Sequence, residues 1–226
     1  DVWHVGDLPS TSPEDGNPTA AWRRFAAGLH HALGLVIAAD GIFVQCRDQL
    51  VRLHDLNSDG EADFYECFSN AFETSTAGHD FICGLERDPA GNFSTVSGKQ
   101  GLLRISSDGA QAEVIAEGFR NADGLGLLAD GTITVPCSEC DSPPASMICA
   151  VQEATTLDPS SNIPFFGYRG PRNGEPPELP LVYLPRGLDN SSGGQTQVTS
   201  ERWGPLNDQL IHYSFGTGQH LLVLRD

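Results

Sequence analysis

Apolar and polar positions along this chain alternate over short distances, and the dominant period is two. Three segments share one layout: GLVIAADGIFV (34–44), GLERDPAGNFSTV (84–96) and GLGLLADGTITV (124–135). Each has a Gly-Leu pair, a short run, an Asp-Gly or Ala-Gly turn, then strand residues. Such alternation turns successive side chains of an extended segment to opposite faces, so that one face can meet a core. Further runs that read as strands are QLVRLHD, GLLRISSDG, AEVIAEG, LPLVYLP, QTQVTS, LIHYSFG and the terminal HLLVLRD. Helical periodicity is confined to 18–31 (PTAAWRRFAAGLHH), which reads as a short helix or as a strand edge.

The repeated units start at Gly34, Gly84 and Gly124, at intervals of 50 and 40 residues. A repeat of about 40–50 residues with several strand and turn signals per unit marks the blades of a β-propeller. The expected fold is therefore all-β: a single propeller domain over 1–226 with about four blades at this period. The next Gly-Leu falls at Gly187, beyond a stretch (136–180) rich in Pro, Ser, Asn and Gly that reads as a long inter-strand loop region. Long loops in such folds commonly build the site on one face. A strand-like run reaching almost to Asp226 makes the chain look like part of a longer one.

Charge narrows the partners. Thirty Asp and Glu against 13 Lys and Arg give a formal net charge of −17, with one lysine, Lys99, and no basic run. Nucleic acid and anionic lipid need a basic footprint and are excluded as partners. No stretch approaches ~18 continuous apolar residues, so no membrane span is expected. Six cysteines (Cys46, Cys67, Cys83, Cys137, Cys140, Cys149) in an acidic chain fit an extracytoplasmic setting: periplasmic, cell-surface or secreted. They allow one to three disulfides. C-S-E-C at 137–140 lacks the histidine that follows in a c-type haem site, and no second C-x-x-C completes a zinc ribbon. Cys149 is the preferred disulfide partner for Cys140.

Residues 55–66, DLNSDGEADFYE, satisfy every ligand position of a twelve-residue calcium loop. Asp55, Asn57 and Asp59 stand at positions one, three and five, Gly60 at the sharp turn, the Glu61 carbonyl at seven, Asp63 at nine and Glu66 at twelve. Short oxygen ligands at alternate positions wrap a hard cation that takes six to eight oxygens. The preceding QLVRLH reads as a strand, so the loop joins β-elements instead of helices, and its expected role is structural. The alternative is an acidic turn.

Two segments carry the remaining chemistry, GHDFICGL (78–85) and GFRNADGLGLLADGTITV (118–135). In Gly118, Arg120, Asn121, Gly124 and Leu125, then Asp130-Gly131, Glu139 and FFGYRG (165–170), the chain resembles the soluble quinoprotein glucose and sorbosone dehydrogenases. Those are six-bladed β-propellers that oxidise sugars with pyrroloquinoline quinone. RDQLVRLHDLNSDGEADFYE, LPRGLDNSSGGQ and RWGPLNDQLIHYSFG extend a closer resemblance to nearly the whole chain. It is to the planctomycete-type branch of membrane-bound dehydrogenase and haem-associated proteins. The resemblance implies His79 as the general base for a sugar hydroxyl, Arg120 and Asn121 as cofactor contacts, and a cytochrome as electron acceptor. Imidazole titrates near neutrality and suits that role, and a guanidinium can stabilise charge on a reduced quinone. Two functions are carried forward. One is a quinoprotein-type sugar or alcohol dehydrogenase. The other is a non-catalytic, calcium-stabilised propeller, a structural or interaction subunit whose ring another protein chain completes.

Overall fold

The computed structural model describes residues 1–6, 20–78, 80–141, 143–152 and 163–225. Strands β1 (Val2–Gly6) and β2 (Ala21–Ala26) form a two-stranded sheet. Blade one follows, built from β3 (Gly34–Ala38), β4 (Gly41–Gln45), β5 (Leu50–His54) and β6 (Phe64–Ser69). Blade two is β7 (Ile82–Arg87), β8 (Phe93–Ser97), β9 (Gly101–Ile105) and β10 (Ala112–Ala116). Blade three is β11 (Gly126–Leu127), β12 (Ile133–Cys137), β13 (Ser146–Val151) and β14 (Val182–Leu184). Blade four has three strands, β15 (Ser192–Gln197), β16 (Leu210–Ser214) and β17 (Gln219–Val223), with a 3-10 turn at Glu201–Leu206 before β16. All pairings are antiparallel between chain neighbours. The fold is an all-β propeller arrangement.

The core lies between the blades. Val44, Val51 and Leu53 of blade one meet Ala26 and Phe25 of β2 on one face, while Phe43 and Leu50 meet Ile82, Phe93 and Leu103 of blade two on the other. Blades two and three enclose Val96, Leu102, Val135 and Met147, and blades three and four enclose Ile148, Leu184, Leu210 and Val223. The period-two alternation thus feeds two cores at once, one from each face of a blade.

Glycine sets how closely the inner strands meet. A Cβ on Gly34 would lie 2.7 Å from the Gly84 carbonyl carbon, one on Gly84 2.9 Å from the Leu125 nitrogen, and one on Gly124 2.7 Å from the Gly194 Cα. Backbone stands against backbone from blade to blade, and Gly84 N donates to Leu33 O at 2.9 Å across that seam. The fourth member is Gly194. Gly187, which the Gly-Leu pattern marks, lies instead in the β14–β15 connection at φ 85°. Two further readings are refined: 18–31 contains strand β2, and the 136–180 stretch contains β13, with 153–162 outside the described residues.

Antiparallel order sorts the connections onto two ends. Those from the last strand of one blade to the first of the next (70–81, 117–125, 185–191) share one end with the loops between second and third strands (46–49, 98–100, 138–145). The loops between first and second strands, and the calcium-type loop between β5 and β6, lie at the other.

Candidate functional site

Arg120 and Asn121 occupy the β10–β11 connection. Asn121 takes a left-handed conformation (φ 43°), which asparagine tolerates better than most residues. The turn is held by the β12–β13 loop: the Ser138 amide donates to Arg120 O at 2.9 Å, and the Ser138 hydroxyl to Asn121 O at 3.4 Å. The Arg120 amide donates to Cys137 Sγ at 3.0 Å, and its guanidinium donates to the Glu139 carbonyl. Arg120 remains exposed at the loop end of the blades.

His79 itself lies outside the described residues. The β6–β7 connection that carries it is anchored around Ser75, whose hydroxyl donates to Asp80 Oδ2 at 2.7 Å and accepts from the Ala77 amide at 3.1 Å. Arg47, from the loop between β4 and β5, donates to Ser75 O at 3.1 Å and lies 5.3 Å from the Phe81 ring centre. Asp80 borders a cavity of about 290 Å³ with Lys99, Gln100, Glu117, Phe165 and Tyr168 among its walls. Lys99 is paired to Glu73 at 2.8 Å, and its hydrogen bond holds the exposed Glu73 carboxyl below the ordinary range. Glu117 is paired with Arg172. The cavity joins residues 80, 99, 117 and 168, which no local motif links. Lys99 was legible only as the sole lysine, and Tyr168 only within FFGYRG.

Asp123 is a further acidic group at this end. It keeps part of its surface in solvent, yet the strand ends packed around it disfavour its charged form and raise its carboxyl.

The calcium-type loop stands at the opposite end. Asp55 accepts from the Asp59 amide at 3.2 Å and the Gly60 amide at 2.8 Å, Asn57 Oδ1 accepts from the Asp59 amide at 2.8 Å, and Asp59 Oδ1 accepts from the Glu61 amide at 2.9 Å. Asp63 closes the ladder, accepting from the Leu56 amide at 2.8 Å and from Asn57 Nδ2 at 3.3 Å. Gly60 sits at φ 84° in the sharp turn, where a side chain would be strained. Asp55, Asn57, Asp59 and Asp63 with the Glu61 carbonyl make an all-oxygen donor set that fits a hard cation in kind. Glu66 lies in β6, where its Oε2 is 2.7 Å from His54 Nε2. Among the described residues no three His, Cys, Asp or Glu side chains are gathered as a closed metal cluster.

No protein-family model and no curated protein matches the chain. Its likeness is to solved structures. One is a protein assigned as an oxidoreductase (glucose dehydrogenase) from Thermus thermophilus, at TM-score 0.60 and 13% identity, covering 88% of this chain and 80% of that one. A second is the soluble aldose sugar dehydrogenase of Escherichia coli in its apo form, at TM-score 0.57 and 11% identity, covering 88% and 84%. A third is a protein assigned as a gluconolactonase, at TM-score 0.55 and 16% identity, where the match covers 90% of this chain and 62% of that one. Likeness at these identities establishes the fold. No helix among the described residues is long and apolar enough to cross a membrane.

Proposed function

We propose that the chain is the site-bearing part of a quinoprotein-type sugar or alcohol dehydrogenase-like propeller of the planctomycete-type branch. The observation that carries the reading is convergence: Arg120, Asn121, the anchored loop whose sequence contains His79, and the cavity beside Asp80 belong to one end of the blades. The likeness in fold to proteins assigned as glucose and aldose sugar dehydrogenases supports the same class.

In this reading His79 takes the proton of a sugar hydroxyl, which requires the neutral imidazole. Arg120 holds developing negative charge, and Asn121 offers an amide for orientation. A guanidinium beside an amide is a donor set that suits an anionic quinone, and pyrroloquinoline quinone, when bound, supplies the hydride acceptor. The expected electron partner is a cytochrome. Calcium at Asp55, Asn57, Asp59, Glu61 and Asp63 would act on stability alone, because that loop is at the far end; Glu66 would have to leave His54 to join it.

The test is reconstitution with the quinone and calcium, desalting, and dye-linked oxidation of aldoses. Retained cofactor absorbance with turnover that disappears in His79→Ala supports the reading. Loss of absorbance and no turnover would leave the non-catalytic, calcium-stabilised subunit. That second reading is favoured by the apolar side chains that the outermost sheets leave exposed among the described residues.

A further inference from the structure

Four of the six cysteines, Cys83, Cys137, Cys140 and Cys149, belong to one buried cluster between blades two and three. Cys137 ends β12, and Cys140 lies in the loop that follows, with its Sγ 2.9 Å from that of Cys137. The residues between them hold the β10–β11 connection. Ser138 N donates to Arg120 O at 2.9 Å, the Glu139 carbonyl accepts from the Arg120 guanidinium, and the Glu139 carboxylate pairs with Arg186. The two sulfurs are also chemically unequal. The hydrogen bond from Cys137, helped by the Arg120 charge, holds the Cys140 thiol below its ordinary range, while Cys140 and burial push Cys137 well up. A thiolate-prone sulfur in contact with a second sulfur is the arrangement of thiol–disulfide exchange.

We propose that Cys137 and Cys140 form a reversible disulfide that fastens the β12–β13 loop against Arg120. The oxidant is a small disulfide of the glutathione class. The Cys140 thiolate attacks one of its sulfurs, and the first thiolate leaves. Cys137 then attacks the Cys140 sulfur of the mixed disulfide and displaces the second thiolate, which takes the Cys137 proton as it leaves. One S–S bond forms in the protein as one breaks in the reagent; two electrons pass to the reagent, which departs as two thiols carrying the two protons. This pairing replaces Cys140–Cys149: Cys149 lies on β13 opposite Val135, while Cys137 is the sulfur in contact with Cys140. It stands whether or not the site takes a quinone.

The sequence supplies the assay. A glutamate-specific protease cuts after Glu139, between the two cysteines, and the next glutamate is Glu153, so Cys140 and Cys149 stay on one fragment. After oxidation with glutathione disulfide, denaturation and digestion, fragments 118–139 and 140–153 should remain joined and separate on dithiothreitol. Cys149→Ser should keep the joint and Cys140→Ser should lose it. In the native protein, tryptic cutting after Arg120 should slow at least severalfold on oxidation. Fragments that separate without reductant, a joint that needs Cys149, or an unchanged rate at Arg120 would each overturn the proposal.

Discussion

Asp189 is a carboxylate with no exposed side-chain surface, 3.3 Å from an equally buried His212. Burial alone would raise it, but hydrogen bonds from His212, Ser192 and Ser214 outweigh that and bring it down from 3.8 to about 2. Gln195 Nε2 lies 2.9 Å from His212 Nδ1, so His212 accepts there and donates from Nε2 to Asp189. Both serines bond the carboxylate and not the imidazole, which is not the order of a hydrolase triad. The network instead pins the β14–β15 connection to β15 and β16. Because the folded-state value is depressed, the stabilisation is full above pH about 4 and is lost as pH falls toward about 2; it is worth about 2 kcal/mol. Urea unfolding of wild type and Asp189→Asn should show a gap at pH 7 that closes over that window. A gap that stays constant down to pH 2 would place the stabilisation elsewhere. His212→Leu, which leaves the carboxylate buried without its partner, should cost about 3 kcal/mol at pH 7 by the same measurement.

At the scale of elements, the strand-to-strand approach depends on the absence of side chains. Gly84 combines φ 70° with a backbone neighbour 2.9 Å from where its Cβ would be, so Gly84→Ala should lower stability by about 3 kcal/mol. Gly131 has φ 86° and open space, so Gly131→Ala carries only the conformational cost, about 1 kcal/mol. Equal denaturant midpoints for the two variants would remove the packing argument. The repeat of Gly34, Gly84 and Gly124 was legible because a Gly-Leu pair and a turn mark each one. Gly194 was hidden because SGGQTQ replaces the apolar run: Ser192 and Gln195 are buried for hydrogen bonds to Asp189 and His212, partners three and 17 positions away. The calcium-type loop was legible for the opposite reason, since the bonds among its ligand positions 55–63 are all local. If it binds calcium, chelation should lower the melting temperature by several degrees, and Asp59→Ala should abolish that response. A melting curve unmoved by chelator would leave an acidic turn stabilised by its own amides.

Taken whole, the molecule has blades whose two faces are both shaped for neighbours, and at its outermost sheets one face is uncovered among the described residues. In blade four, Leu210, His212 and Val223 face blade three, while Tyr213 and Leu222, on the opposite face, are 38% and 46% exposed. In blade one, Leu35 and Ile37 lie on the face turned toward β1 and β2 but beyond their cover, at 48% and 74% exposed. Contact of the blade-four face of one copy with the blade-one face of another joins unlike surfaces, and such heterologous contacts grow end to end unless the rotation closes a ring. Among the described residues β17 is an edge strand, which adds backbone donors and acceptors at the same place. The net charge of −17 opposes association, and salt screens that repulsion. This chain alone should therefore associate with rising concentration and more strongly at high salt, its mass increasing without stopping at a dimer in sedimentation velocity. Leu222→Lys with Leu224→Lys should return it to monomer, whereas Leu56→Lys, also exposed but in the calcium-type loop, should not. A chain that stays monomeric at high concentration and high salt would mean that its twisted, charged ends protect these faces without a partner.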